Sequence, residues 1–273
     1  MTQRRLSLYK IEDELSPPFN PAEYSEFKFG NTLYAQKFAK EMAVCIIDHI
    51  GPELLEQEQI LITPSPYSAI PTASNFLCNE LIVHLNKYLF YHNRPGLKEI
   101  KIGRNQTYTQ DYGELSYEER RRLIANDTYY IDKNIVNNQF CLFLDDIRIT
   151  GSHEHTLLKL FENEKISGNF VFLYFAELVN LSISPKIENY YNYYAIKNTK
   201  DLIENISKDS FRFNTRIIKY ILSLPLEDFN CVFDHFSEKQ KRDFQNLAIS
   251  NNYHLIETYK TNLYNLKLTE YGH

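Results

Sequence analysis

The chain has 273 residues, of which 43% are hydrophobic and 24% charged, as in ordinary globular proteins with a proper core. Its formal net charge of -5 and its pI near 5.9 argue against a protein that coats nucleic acid. No apolar run approaches the roughly 20 residues that span a bilayer, and the N-terminus lacks the apolar core of a secretory signal. We therefore expect a cytoplasmic protein with neither a membrane nor a nucleic acid as partner.

The first part of the chain predicts alternating helices and strands. Apolar residues repeat at helical spacing over 32–50, and this helix is expected to stop at Gly51. Residues 59–63 form a short apolar run typical of a strand, and a proline-rich loop separates this run from a second helical segment. Another strand is predicted at 97–102. The spacing of Ser116 and Glu119 is that of a capping box, which predicts a further helix start.

The rest of the chain predicts three more strands and then helices alone. Strands are expected at 127–131, 139–144 and 169–176, with a helix at about 152–163 between the last two. Strands that alternate with helices predict an α/β fold with a mostly parallel, doubly wound sheet. Beyond about residue 197 every periodic segment is helical. We therefore predict an α/β core over 1–197 and a C-terminal helical appendage over 198–273.

The segment "CLFLDDIRITGS" carries the clearest chemical signal. Asp145 and Asp146 follow an apolar strand, and because strand residues alternate between faces, these two carboxylates cannot form a close acid/base pair. The turn that follows, Thr150-Gly151-Ser152, offers backbone N–H groups and two hydroxyls at a helix start, which suits a phosphate. Carboxylates beside such a turn suit a sugar phosphate, because their oxygens accept hydrogen bonds from hydroxyl groups.

This segment resembles the signature of type I phosphoribosyltransferases, enzymes that use phosphoribosyl pyrophosphate (PRPP), and the resemblance extends over roughly residues 25–180. It implies that Asp145 and Asp146 hold the ribose hydroxyls and touch Mg²⁺ only indirectly, through PRPP. It also implies that Thr150, Gly151 and Ser152 hold the 5′-phosphate. Three segments, "YSEFKFGNTLYAQKFAKEMA", "DDIRITGSHEHT" and "FRFNTRIIKYIL", resemble a divergent bacterial branch associated with tellurite-resistance and stress operons.

The same resemblance assigns two loops. The loop after an early strand, which grips pyrophosphate in the family, corresponds to 63–71 and offers Ser65, Pro66, Tyr67 and Ser68. The long loop that closes over the site corresponds to 103–115. Its lack of periodicity fits a lid, and Arg104 and Tyr108 are the groups expected to touch pyrophosphate.

The chain departs from the family pattern at three places. His153 replaces a usual Thr or Ser, and we expect it to contact phosphate. Ile149 stands where purine-using members carry a general base, and the pyrophosphate loop has prolines in place of an Arg-Gly-Gly core. These departures concern the acceptor more than the PRPP donor.

Several charged residues near the motif have two readings. Lys28 is either a phosphate contact or an exposed charge between two core aromatics, and Arg148 is either a substrate-facing cation or a surface charge. Neighbouring residues on the first turn of a helix point in different directions, so His153, Glu154 and His155 make a poor metal site. We expect Glu154 to complement the helix dipole and His155 to face solvent.

The sequence therefore predicts transfer of phosphoribosyl from PRPP to an unidentified nitrogenous acceptor, with Mg²⁺ neutralising the pyrophosphate and a homodimer expected by resemblance. Two alternatives belong to other classes. A non-catalytic PRPP or nucleotide sensor would bind PRPP without releasing pyrophosphate. A hydrolase of a phosphoribosyl compound would turn over without an acceptor.

Overall fold

The computed structural model describes residues 2–104 and 129–266 and contains a five-stranded parallel sheet. The strands are β1 (Thr2–Ile11), β2 (Ile60–Pro64), β3 (Lys98–Glu99), β4 (Gly103–Arg104), β5 (Tyr129–Tyr130), β6 (Gln139–Arg148) and β7 (Gly168–Leu178). The sheet order is β1-β7-β6-β2-β3, and every neighbouring pair is parallel. β4 and β5 pair antiparallel in a separate unit. The predicted α/β class with a mostly parallel sheet is confirmed.

Helices flank this sheet and fill the C-terminal part of the chain. Among the described residues, no helix is long and apolar enough to cross a membrane. The helices are α1 (Pro21–Lys28), α2 (Thr32–Glu56), α3 (Ala73–Tyr91), α4 (Lys133–Val136), α5 (Ser152–Asn163), α6 (Ile187–Asn192), α7 (Thr199–Ile206), α8 (Thr215–Leu222), α9 (Leu226–Asp234), α10 (Glu238–Ser250) and α11 (Glu257–Asn265).

The two central strands, β6 and β7, are apolar along most of their length because helices cover both faces of the sheet. On one face, Leu142 and Phe175 belong to a core that includes buried residues of α1, α2 and α3. On the other face, Phe143 and Phe172 pack in a second cluster that contains Phe161 of α5. The doubly wound arrangement predicted from the sequence follows from this burial on both sides.

Helix α2 runs past its predicted stop. Gly51 and Pro52 both lie inside it, and the helix ends only at Glu56. A Cβ atom at Gly51 would lie 2.8 Å from the hydroxyl of Tyr88 on α3, so glycine allows the two helices to pack closely. Packing between helices therefore overrides the local stop signal.

Two strand predictions also differ from the structure, and one strand of the structure was not predicted. The strand expected at 97–102 shortens to β3 at the sheet edge, where it pairs only with Leu61 and Ile62. Within the range 127–131, where a strand was predicted, the structure describes β5, which pairs with β4 outside the main sheet. β1 was not predicted, because its first four residues are exposed and polar and give little alternation. The predicted helix start at Ser116 lies outside the described residues.

The C-terminal helices pack around a hydrophobic core of their own, which also includes Phe29 and Ile70. Backbone hydrogen bonds attach this region to the loops of the α/β part. Arg212 N donates to Gly30 O at 2.9 Å, and Thr215 N donates to Pro71 O at 2.9 Å. The domain boundary near residue 198 stays a prediction, while the helical character of the C-terminal region is confirmed.

Replacing Gly30 with alanine is expected to lower the free energy of unfolding by about 2–4 kcal/mol, combining left-handed strain with overpacking. Gly30 has φ +87°, and a Cβ atom there would overlap the backbone carbonyl oxygen of Arg212. Urea unfolding would measure the loss. Gly96→Ala, at an exposed position without a positive φ, is the control and should lose far less. Equal losses in the two variants would contradict the prediction.

Candidate active site

A cavity of about 800 Å³ opens at the carboxyl ends of β2 and β6. Its lining includes Ser65 and Pro66, which directly follow β2, and the continuous segment 145–154. Open α/β sheets bind ligands at this edge, and the volume falls within the usual range of small-molecule sites. The cavity is therefore the candidate active site.

Asp145 lies where β6 loses its pairing with β2, since that ladder ends at Leu144. Its Oδ1 atom accepts hydrogen bonds from Ser65 Oγ at 2.5 Å and from the backbone N–H of Asp146 at 2.9 Å. Burial and the neighbouring Asp146 carboxylate raise the pKa of Asp145 well above its usual range. Asp145 is thus a cavity carboxyl that holds its proton unusually firmly.

Asp146 lies beside Asp145, and a side-chain hydrogen bond joins their carboxyls, so the prediction that the two cannot form a close pair is wrong. Its Oδ2 atom accepts a hydrogen bond from the Tyr24 hydroxyl at 2.5 Å and forms an ion pair with the ammonium of Lys28. Burial alone would raise the pKa of Asp146, but the Lys28 charge and these hydrogen bonds lower it to about 2. Asp146 is therefore ionised, and it already has a cationic partner within the protein.

The position of Lys28 excludes one of its two sequence readings, the exposed charge, while the phosphate contact stays a prediction. It is only 9% exposed, so it is not a surface charge, and it lines the cavity while bound to Asp146. α1 positions it, because Asn20 caps the start of that helix and Pro21 occupies its first turn.

The predicted phosphate turn precedes α5, which begins at Ser152 as expected. Gly151 has φ +71°, a left-handed conformation that glycine adopts without strain. The hydroxyl oxygens of Thr150 and Ser152 lie 2.7 Å apart in a hydrogen bond, and both residues line the cavity. His153 also lines the cavity, and its Nδ1 atom lies 2.7 Å from the hydroxyl of Tyr129. The structure thus brings the four residues 150–153 together beside Asp145.

Glu154 has a larger part than the dipole contact expected from the sequence. It is 5% exposed and accepts hydrogen bonds from Arg5 Nε at 2.8 Å, Arg148 Nε at 3.0 Å and the Tyr174 hydroxyl at 2.9 Å. Burial would raise its pKa, but the hydrogen bonds from Arg5 and Tyr174 and the charge of Arg148 lower it. Arg148 also pairs with Glu177, so this cluster fixes the base of the phosphate turn to β1 and β7.

The predicted pyrophosphate loop divides between the cavity and its surroundings. Ser65 and Pro66 line the cavity, whereas Tyr67 and Ser68 are not among its described lining residues. They contact Lys101, whose Nζ atom lies 4.0 Å from the Tyr67 ring centroid and donates to Ser68 O at 2.8 Å. A role for Tyr67 and Ser68 in substrate binding stays a prediction.

The predicted lid is described only at its first residues. Arg104 lines the cavity, and its strand, β4, pairs with β5. Tyr108 lies outside the described residues, so its contact with pyrophosphate stays a prediction. His155 is exposed, as expected, and no group of three or more His, Cys, Asp or Glu side chains in the described ranges is placed to hold a metal.

Sequence reasoning missed the contribution of the C-terminal helices to the cavity. Residues from α6, α8 and α11 line it together with the segment 193–197. The one available signal was the polar stripe of α8, which by itself is typical of a helix face that meets solvent. The residues of this second wall are Glu188, Asn189, Tyr193, Ile196, Lys197, Thr215, Arg216, Lys219, Tyr220, Ser223 and Tyr259.

A parallel α/β sheet with an acidic pair and a Thr-Gly-Ser turn at its carboxyl edge defines a phosphoribosyltransferase-like protein. The chain belongs to the PRTase ComF-like family, whose model matches residues 2–266. This match confirms the resemblance noted from the motif.

Solved structures similar to this chain are hypoxanthine phosphoribosyltransferases. The L. donovani hypoxanthine-guanine enzyme is 13% identical, with 54% of this chain and 70% of that one covered and a TM-score of 0.33. The Staphylococcus aureus enzyme is 13% identical, with 52% and 74% covered and a TM-score of 0.32. A Trypanosoma cruzi enzyme complexed with the product IMP is 15% identical, with 55% and 79% covered and a TM-score of 0.33. A comparison with curated proteins gave no match.

Replacing Gly151 with alanine is expected to cost about 1–2 kcal/mol of folding free energy through left-handed strain. A Cβ atom at this position would lie 2.5 Å from Nη2 of Arg148, so either the guanidinium or the turn must also shift. We therefore expect weaker binding of a phosphate-bearing ligand along with a lower melting temperature. Differential scanning calorimetry with and without PRPP would measure both, and an unchanged melting temperature and ligand shift would contradict the prediction.

Proposed function

We propose that the protein transfers the 5-phosphoribosyl group of PRPP to a nitrogenous acceptor and releases pyrophosphate. The observation that carries this proposal is the placement of Asp145 and the Thr150–Ser152 turn on the wall of one cavity at the carboxyl edge of the sheet. Membership of the PRTase ComF-like family supports it.

Each side chain has a distinct part in this proposal. The N–H groups at the start of α5, with the hydroxyls of Thr150 and Ser152, hold the 5′-phosphate, where the helix dipole favours negative charge. Asp145 accepts hydrogen bonds from the ribose hydroxyls. Tyr24 and Lys28 both bond Oδ2 of Asp146, so a ribose contact from this residue uses Oδ1. Ser65, Pro66 and Arg104 border the space for pyrophosphate.

Mg²⁺ fits this site as a companion of the substrate rather than as an ion held by protein alone. Mg²⁺ keeps several water ligands and commonly takes one or two carboxylates together with substrate phosphates. Asp145 lies at the cavity wall and would reach the ion only through PRPP, while Lys28 already neutralises Asp146. The ion would supply positive charge to the pyrophosphate leaving group.

The protein's own contribution is to position the reactants and to exclude water. A lone pair on the acceptor nitrogen forms a bond to C1′ as the bond from C1′ to the pyrophosphate oxygen breaks. Pyrophosphate leaves with that electron pair, and any proton on the attacking nitrogen passes to solvent. Fixed hydrogen-bond donors and bound geometry lower the barrier for such a reaction, and water exclusion protects the donor from hydrolysis.

A PRPP sensor without transferase activity is the second candidate, and Ile149 favours it. This residue is buried and lines the cavity where a proton acceptor would serve a purine base. A sensor needs the PRPP contacts but no group that assists the acceptor.

Calorimetric titration with PRPP, with and without Mg²⁺, tests the proposal, followed by a screen of nitrogenous acceptors for pyrophosphate release. Mg²⁺-dependent binding and release with an acceptor would support transfer. Binding without release for any acceptor would support the sensor. No PRPP binding by the wild type would overturn both.

A further inference from the structure

Helix α8 separates its side chains into an apolar face and a cavity-lining face. Ile217, Ile218 and Ile221 are fully buried in the C-terminal core. Positions 215, 216, 219, 220 and 223 recur at helical spacing, so they form one continuous stripe. These positions, occupied by Thr215, Arg216, Lys219, Tyr220 and Ser223, all line the cavity. The C-terminal region therefore supplies a polar wall to the site as well as its own core.

Two tyrosine rings, inclined to each other by 41°, give this wall an aromatic surface. The ring centroids of Tyr193 and Tyr220 lie 5.8 Å apart, and both rings pack against Phe29, at 5.5 and 5.3 Å. The guanidinium carbon of Arg216 lies 5.8 Å from the Tyr193 ring centroid. Packing on the buried Phe29 fixes the tyrosines, so the surface exists before a ligand arrives.

The wall is also positively charged. Among the described residues that line the cavity and follow β7, there are three cations, Lys197, Arg216 and Lys219, and one carboxylate, Glu188. This local surplus contrasts with the formal net charge of -5 of the whole chain. A cleft lined with surplus positive charge concentrates anionic ligands.

We propose that this wall is the acceptor site, and that the acceptor is a planar heteroaromatic ring bearing a carboxylate. The inference depends on the proposed transferase function. The ring lies against Tyr193 and Tyr220, and Arg216 and Lys219 bind its carboxylate. Arg is the side chain best suited to a carboxylate, which it grips with two parallel hydrogen bonds.

The donor alone does not account for both properties of the wall. The turn at 150–153 and Asp145 already provide phosphate and ribose contacts, and these lie on elements other than α8. A sugar phosphate has no flat face for an aromatic surface, whereas a heteroaromatic ring gains stacking energy there. Aromatic surface and positive charge on one wall together match an anionic ring.

Two matched probe pairs test the inference by calorimetry: orotate against uracil, and nicotinate against nicotinamide. Each pair shares a ring and differs in the carboxylate. For at least one pair we expect the acid to bind at least about tenfold more tightly than its neutral partner, which is the range of a charge-assisted contact. Arg216→Gln/Lys219→Gln should abolish this preference and leave PRPP affinity within about twofold. Lys200→Gln, an exposed cation on α7 outside the cavity lining, is the matched control and should keep it.

The wild-type comparison decides the matter even where a variant folds poorly. The acceptor inference is overturned if the acid and the neutral probe bind equally well in both pairs. It is also overturned if a protein that binds PRPP binds neither pair. Neither result contradicts the proposed function. The double variant could also lose affinity for PRPP or pyrophosphate to the same degree as it loses affinity for the carboxylate probe. That result would assign these cations to the donor site and would also overturn the acceptor inference. Failure of the wild type to bind PRPP is a separate result, because it contradicts the proposed function.

Discussion

Replacing Lys28 with methionine is expected to lower the free energy of unfolding by about 3–5 kcal/mol, since it leaves a buried carboxylate without its counter-ion. Lys28 and Asp146 are 9% and 6% exposed, so water cannot replace the lost ammonium. Methionine keeps much of the apolar stem, and the loss therefore reports the charge. Urea unfolding near pH 7 would measure it.

Two controls separate this effect from ordinary surface electrostatics. Lys37→Met removes an ion pair with Glu23 in which the lysine side chain is 47% exposed, and we expect a loss of no more than about 1 kcal/mol. Lys28→Met/Asp146→Asn removes both charges and should recover much of the stability. A double variant as unstable as Lys28→Met, or equal losses at Lys28 and Lys37, would contradict the prediction.

The same pair makes a prediction about pH. The pKa of Asp146 is about 2 in the folded protein, below the value of about 3.9 for an unfolded Asp. Its stabilising contribution is therefore complete above about pH 4 and is lost as the pH falls toward 2. Lys28→Met removes that contribution, so the gap in stability between wild type and variant should narrow on acidification. A gap that stays constant from pH 7 to pH 3 would show that the ion pair is not its source.

Asp145→Asn is expected to reduce PRPP affinity by about 10- to 100-fold, the range of a hydrogen bond to a charged group. The fold should tolerate the change, because the amide oxygen can still accept from Ser65 Oγ and the backbone N–H of Asp146. Burial and the neighbouring Asp146 carboxylate raise the pKa of Asp145, so ionising this carboxyl costs more free energy in the folded chain than in the unfolded one. Removing the charge should leave the free energy of unfolding unchanged or slightly higher.

Calorimetric titration at several pH values would test this assignment. In the wild type, PRPP affinity should rise with pH as Asp145 ionises, beyond the dependence that PRPP's own phosphates give. Asp145→Asn keeps the ligand's dependence and lacks the contribution of the carboxyl, so the difference between the two profiles isolates that group. Identical affinities and profiles would remove Asp145 from the proposed site.

Local patterns predicted the parts of the fold and site that are set by neighbouring residues. The continuous apolar runs of β6 and β7 predicted buried central strands, and the turn before Ser152 predicted the start of α5. Each of these follows from backbone periodicity over a few residues.

Contacts between distant segments were not predicted, because nothing in a single sequence marks the partner. Lys28 reaches Asp146 across 118 positions, and Arg5 reaches Glu154 across 149. The polar stripe of α8 did not predict a cavity wall, since a polar helix face normally meets solvent. Only the folded chain turns that face toward the cavity.

The place of β1 in the sheet has a consequence for how the protein is made. This strand is synthesised before the other described elements, yet its partner in the described sheet is β7, and Thr2 bonds to Asn169, 167 positions later. Closing so long a loop is slow, and the nascent chain carries an unpaired strand until residue 178 has been synthesised. Because Arg5 on β1 bonds Glu154 in α5, the phosphate turn gains this support only when β1 has paired with β7.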